Sequence, residues 1–333
     1  MVVEKQKLEN VLARTLSLAE EKVKLDAACK RLLANKIILA WIMKSSMAEY
    51  RDCSIEDIAE KYIEGTPQVA TEPVHRDEGK GELNELTGEL IEGLGTEDSS
   101  LSEGTVTYDV RFRAVNPVSN KTAQMIINVE GQNNFYPGYP LVKRGIYYGS
   151  RLISSQYGTV FAEAEYGKIQ KVSSIWVCMN PPKYRQNTIN LYEIHEKHLV
   201  GDVAERREHY DLMTVIMICL GDPDTASTDL LKLLDVLFSE VHSAEEKKQI
   251  LVNEFDIKMT KSLEGEVEQV CDYSNGIWDK GHTQGRLLGR EEEREMLFRL
   301  IDLMAADGEA GRIPKLSQSP EFLDEMLEKY QLR

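Results

Sequence analysis

Three residues near the middle of the chain, Asp109, Glu130 and Gln132, have types and spacing suited to phosphoryl chemistry at a divalent cation. Hydrolysing a phosphodiester requires an ion that polarises the phosphate and generates hydroxide at neutral pH. Hard ions such as Mg²⁺ take carboxylate oxygens, one or two from protein, and complete their shell with water. Residues 105–114 alternate apolar and polar with period two, so Val106, Tyr108, Val110 and Phe112 should share one face, and Thr107, Asp109, Arg111 and Arg113 the other. On a second strand over 122–132, Gln124, Ile126, Asn128, Glu130 and Gln132 share a face. With Asn116 to Lys121 as the turn, closed near Val118 and Ser119, Asp109 should lie almost opposite Asn128, with Glu130 its diagonal neighbour. Gln132 would then orient water or phosphate, and Asn128 would hold the site by a further hydrogen bond. The same pattern also fits a solvated hairpin face with Asp109 paired to an arginine.

The elements needed to position this hairpin can be read on both sides. Residues 5–50 show helical periodicity without a proline, narrow and polar at first and apolar enough for a core helix from Leu32 to Met47. A short helix follows Ser54. The stretch 65–104 is rich in Gly, Glu, Thr and Pro and reads as loops, with 93–104 as a lid or edge. After the hairpin, the Gly- and Pro-rich 133–140 breaks the strand and a helix fits 141–155, with Arg144, Tyr148 and Arg151 on one face. Further strands fit 159–165, 173–179, 188–193 and 212–220. From Ser227 the chain reads as helices over 228–240, 244–254, 258–271, 287–305 and 321–330. Gly281, Gly285 and Gly289 recur every fourth residue between two of these, a spacing that fits a close-packed helix face or, preferred in this charged context, a flexible joint. The expected architecture is an α/β mixed sheet flanked by helices, with a helical C-terminal extension. The expected division is a helical arm at 1–30, a core at 31–224 with an acidic insertion at 54–104, and a helical region at 225–333.

Composition narrows the function classes. The apolar fraction of 42% allows a sizeable core. No apolar run approaches the ~18 residues needed to cross a bilayer, and the N-terminus lacks the apolar stretch of a signal peptide. The five cysteines are scattered without a CxxC pair, which fits a reducing cytoplasm and neither a disulfide framework nor a zinc ribbon. The net charge of −16 disfavours a polyanion partner over most of the surface. Residues 105–172 reverse that balance: Arg111, Arg113, Lys121, Lys143, Arg144, Arg151, Lys168 and Lys171 face only Asp109, Glu130, Glu163 and Glu165. A local basic segment holding two isolated acids fits a polyanion site inside an acidic protein, chance surface charge being the alternative. His195 and His198 lack a third ligand and read as surface loop, and Trp41 and Trp176 read as core. Gly93-x-Gly95 lacks the strand–helix context of a dinucleotide fingerprint.

The segments Thr107 to Phe112 and Ile126 to Gln132 resemble the D…ExQ form of the PD-(D/E)XK nuclease motif. With Leu32 to Lys44, Lys143 to Ser154, Lys171 to Asn180 and the glycine-punctuated tail after Gly276, the chain resembles the bacterial PD-(D/E)XK nuclease family transposases, relatives of the recombination-promoting nucleases. The resemblance implies a restriction-endonuclease-like core, a Mg²⁺ cofactor with Mn²⁺ as substitute, and DNA as substrate in recombination or mobile-element metabolism. It implies an acid from the preceding helix, for which Glu49 is the candidate, a solvated helix end being the alternative. It also implies phosphate-binding groups on the helix after the hairpin, where Arg144 and Tyr148 stand; a surface arginine over a core tyrosine fits equally. The lysine common in the wider superfamily is replaced here by Gln132, which can orient but not neutralise. On this reading Asp109 and Glu130 hold the ion, with the Val129 carbonyl as a further ligand. The competing reading is a nuclease-fold protein that binds DNA or protein and cleaves little. Self-association through the helical regions as a homodimer is a further expectation.

Overall fold

The computed structural model describes residues 19–70, 97–100, 104–117, 124–133, 135–222, 225–239 and 241–332; within these, 97–105, 124, 276 and 278–292 are described by their backbone alone. The chain divides into two compact units, the first covering Ala19–Ser274 and the second including Asn275–Arg333. The boundaries therefore differ from those expected at residues 30 and 224. The first unit takes in helix α1 (residues 19–33) and the helical segments that follow the sheet as far as Ser274.

Apolar periodicity runs from α1 into α2 (Lys36–Ser46), but the two are separate helices. Asn35 breaks the run: its backbone is extended and its side chain accepts a hydrogen bond from the Ile37 amide at 3.1 Å, capping α2. A single turn α3 (Ile55–Asp57), capped by Ser54, continues as a π-helical turn over Ile58–Tyr62. The strands are β1 (Gln68–Val69), β2 (Glu97–Ser100), β3 (Gly104–Thr107), β4 (Val110–Val115), β5 (Gln124–Gln132), β6 (Val172–Cys178), β7 (Thr188–Glu193) and β8 (Met213–Cys219). Six of them form a mixed sheet in the order β1-β4-β5-β6-β8-β7, while β2 and β3 pair apart. The two parallel pairings, β5 with β6 and β6 with β8, lie at the centre, and both edges are antiparallel.

Helix α4 (Leu141–Ser154) joins β5 to β6 and packs on one face of the sheet. It sits close because Gly145 and Gly149 face the strands: a Cβ at Gly145 would lie 2.6 Å from Val215 Cγ1, and one at Gly149 2.8 Å from Met213 Sδ. The opposite face is covered by α1, α2, α5 (Asp229–Phe238), α6 (Ala244–Phe255) and the start of α7 (Lys261–Ala306), in one continuous apolar cluster. In the second unit, Leu300 and Met304 pack with Met326 and Leu327 of α8 (Pro320–Lys329).

Two further expected elements differ. Residues 159–165 form turns because the segment folds back on itself, the Gln156 carbonyl accepting from Thr159, Val160 and Phe161. The joint expected at Gly281, Gly285 and Gly289 is helix, since α7 runs through all three. Glycine costs a helix only about 1 kcal/mol per residue, and the flanking residues are good helix formers. Among the described residues, no helix is long and apolar enough to cross a membrane.

Candidate active site

The hairpin of β4 and β5 carries the site, in a register different from the expected one. Val110 pairs with Val129 and Arg111 with Asn128. Continuing that register by one residue sets Asp109 across from Glu130 rather than Asn128. Moving a hairpin's closure by one residue shifts every cross-strand partner by two, and the closing residues 118–123 lie outside the described set. The alternation over 105–114 is also interrupted. Val106 and Tyr108 pack on the α4 side, whereas Val110 and Phe112 pack on the opposite side. The change of face occurs at Tyr108 and Asp109, between β3 and β4, so Asp109 sits at a break in the strand.

That break lets the two carboxylates interlock through the backbone. The Asp109 amide donates to Glu130 Oε1 at 3.2 Å, and the Gly131 amide donates to Asp109 Oδ2 at 3.0 Å. Asn128 Nδ2 donates to the same Glu130 Oε1 at 3.1 Å, the supporting bond expected of it. Both acids are buried, at 5% and 3% exposed, so neither is a solvated surface carboxylate. Burial raises the Asp109 carboxyl above its ordinary range despite the opposing charge of Lys30. Glu130 is raised further, first by burial and then by the negative charge of Asp109, with Arg144 acting against the rise.

Arg144 and Tyr148 project from α4 toward Glu130. Arg144 Nη2 donates to Tyr148 Oη at 2.6 Å, and its guanidinium stands over the rings of Tyr148 and Trp176. Trp176 is the β6 neighbour of Glu130, which fixes the arginine beside the carboxylate. Burial by itself loosens the arginine's hold on its proton, but the Tyr148 hydroxyl, followed by Tyr139 and then Glu130, outweighs it and strengthens that hold. Arg151, on the same helix, is buried and donates to Tyr147 Oη at 3.2 Å. Gln132 ends β5 on the same face as Glu130, half-buried, with its carbonyl bound by the Met179 amide. Val129 lies between β4 and β6, paired with Val110 and Ile175, and its side chain enters the opposite core.

Glu49 is not part of this arrangement. It pairs with Lys171 at 2.7 Å, and Lys171 in turn with Asp211 at 2.9 Å. This ion cluster sits just before β6 and β8 begin: Lys171 is five residues before Trp176, the β6 partner of Glu130, roughly 17 Å away at the usual rise per residue. Glu49 lies in the 3₁₀ turn Ala48–Tyr50 that follows α2, at the end of the sheet where β6 and β8 begin.

The helical contribution comes from α1 instead, and it is a base. Lys30, 3% exposed, bridges Asp109 Oδ1 at 2.9 Å and Asp26 Oδ2 at 2.8 Å. Its ammonium is held charged, because Asp109 and Asp26 outweigh the burial that disfavours it. A signal for Lys30 existed in the sequence: it stands, beside Arg31, between Ala28-Cys29 and Leu32-Leu33, which form the inner face of α1.

The donor set suits a hard divalent ion. Two buried carboxylates repel each other, and the buried Asn128 Oδ1 beside them has no hydrogen-bond partner among the described residues. No cluster of three or more His, Cys, Asp or Glu side chains fit to hold a metal occurs among the described residues. An ion here would take two carboxylates and complete its shell with water, as Mg²⁺ usually does. His195 and His198 lie in an exposed loop, each beside a glutamate, and Trp176 is wholly buried. Comparison with family models, with curated proteins and with solved structures finds no match for this chain, so the site rests on its own geometry.

Proposed function

We propose that the chain is a metal-dependent deoxyribonuclease with a restriction-endonuclease-like core, acting on recombination-linked or mobile-element DNA. The observation that carries the reading is the Asp109–Glu130 pair. Two buried carboxylates interlocked through the backbone are costly unless a cation joins them. Asp109 and Glu130 hold the ion, Mg²⁺ or Mn²⁺, with the Val129 carbonyl as a further ligand. The ion supplies a polarised phosphate and an activated water. Arg144, supported by Tyr148, contacts a phosphate of the scissile strand, since its planar fork matches phosphate oxygens. Gln132 orients the water. Lys30 supplies the positive charge that Gln132 lacks. The five unpaired cysteines support a reducing compartment such as the cytoplasm, and the helical regions support a homodimer.

The test is plasmid nicking in Mg²⁺. Wild type should nick, and Asp109→Ala should lose at least ~100-fold of the rate, the scale of removing a group that stabilises the transition state. A variant that nicks as fast as wild type refutes the assignment.

A second reading is supported by Lys30 itself. Asp109 already has a buried cation at 2.9 Å, so the protein satisfies that charge without a metal. The chain would then keep the fold for DNA or protein binding and cleave little. Calorimetric titration with Mn²⁺ separates the readings: heat that disappears in Glu130→Ala rules out the inert site.

A further inference from the structure

At the start of α4 lies a cavity of about 420 Å³, within the size range of small-molecule sites. Its walls come from two loops at the same end of the sheet. The loop between β5 and α4 brings Phe135, Tyr136 and Tyr139, and the 3₁₀ turn Lys183–Arg185 brings Tyr184 and Arg185. Met217 of β8 contributes to the floor. The walls are tied together: the Tyr136 and Tyr184 hydroxyls are 2.7 Å apart, and Arg185 stands over the rings of both Phe135 and Tyr184. Tyr136 and Tyr184 are nonetheless 61% and 73% exposed. Rigid aromatic faces left open to water and backed by a guanidinium suit a planar aromatic ligand.

One residue links this cavity to the candidate active site. Tyr139 lines the cavity and accepts a hydrogen bond from Arg144 Nη1 at 2.8 Å, and the other arm of Arg144 reaches Tyr148 beside Glu130. A ligand ring in the cavity is therefore one side chain away from the phosphate-binding arginine. Arg144 and Arg185 disfavour a cationic ligand and favour one with an anionic tail.

We propose that this cavity receives an unpaired nucleobase of a DNA strand, stacked against Tyr184 and Tyr136, with an adjacent phosphate directed to Arg144. The inference rests on the nuclease reading and narrows it to DNA carrying an unpaired base near the scissile bond. A base inside a duplex cannot offer its face to the cavity without leaving the stack, which costs energy. Single-stranded, bulged or frayed DNA offers the face freely.

The test uses the full-length protein without divalent metal and oligonucleotides carrying the fluorescent base 2-aminopurine. Single-stranded and single-base-bulge probes should bind with a fluorescence change, at least ~10-fold more tightly than the fully paired probe. Tyr184→Ala should weaken binding roughly 5- to 100-fold, the range for losing one stacked base, whereas Tyr184→Phe should retain it. Tyr184 is on the surface, so neither change threatens the fold. Duplex binding as tight as single-strand binding, or an unchanged Tyr184→Ala, overturns the proposal. So does the free 2-aminopurine nucleotide binding as tightly as the oligonucleotide. Cleavage in Mg²⁺ without any 2-aminopurine response refutes the cavity and leaves the nuclease reading standing. A response that survives in Asp109→Ala, in a protein that never cleaves, supports the cavity and refutes the nuclease reading.

Discussion

The two faces of the central sheet are built from the same strands and differ in almost every physical respect. Toward α1, α2 and α5, the strands present Met125, Ile127, Val129, Ile175, Val177, Ile216 and Ile218, a continuous apolar surface. Toward α4, the intervening residues include Asn128, Glu130, Ser174, Trp176 and Met217, where buried polar groups lie among apolar side chains and the Trp176 ring. The first face stabilises by removing apolar area from water. The second buries a carboxylate against another carboxylate and gives up stability to hold charge in place. The difference locates the chemistry: the strained face carries function because the other face supplies the stability that permits it.

The comparison can be broken most strongly on the apolar face. Ile216→Ala deletes a fully buried side chain and should cost about 2–5 kcal/mol, read by urea unfolding. Whatever fraction remains folded should bind Mn²⁺ as wild type does; loss of ion binding would mean the faces are not separable.

Lys30→Met acts where the faces meet. It leaves Asp109 without its buried counter-charge, and because Asp109 is already raised toward protonation the loss should be about 2 kcal/mol rather than the full penalty of a broken buried pair. Mn²⁺ should then raise the melting temperature of Lys30→Met more than that of wild type. An equal shift in both proteins would show that lysine and metal do not share the site.

The smallest expected effect has the opposite sign. Glu130 has a raised folded-state pKa, so the folded protein holds its proton more tightly than the unfolded chain. Its stability contribution is therefore most favourable below the ordinary value of 4.5 and declines as pH rises through the folded value. Glu130→Gln removes this decline. The variant should match wild type at pH 4 and exceed it by about 1 kcal/mol at pH 8, while losing ion binding. A variant less stable than wild type at pH 8 would show that the glutamate is not under electrostatic strain.

Much of the fold was legible because its signals are local. The strand Thr188–Glu193 and helix α4 fall where alternation and helical periodicity place them, and so do the faces of β5. The hairpin register was not legible, because it depends on closure over 118–123 and on the break at Tyr108 and Asp109. No periodicity reveals a residue at which a strand changes face. Lys30 was missed for a related reason: its charge gains meaning only from an aspartate 79 positions later in the chain.

By itself the sequence determined that Asn128, Glu130 and Gln132 share one strand face, since side-chain alternation is a property of the extended backbone. It also determined that Arg144 and Tyr148 share one helix face, since one helical turn separates them. Tertiary structure alone decided that Asp109 faces Glu130, that Lys30 rather than Glu49 reaches them, and that Arg144 joins them to an aromatic cavity. Those three outcomes depend on how separate elements dock, and docking is set by packing against neighbours distant in the chain.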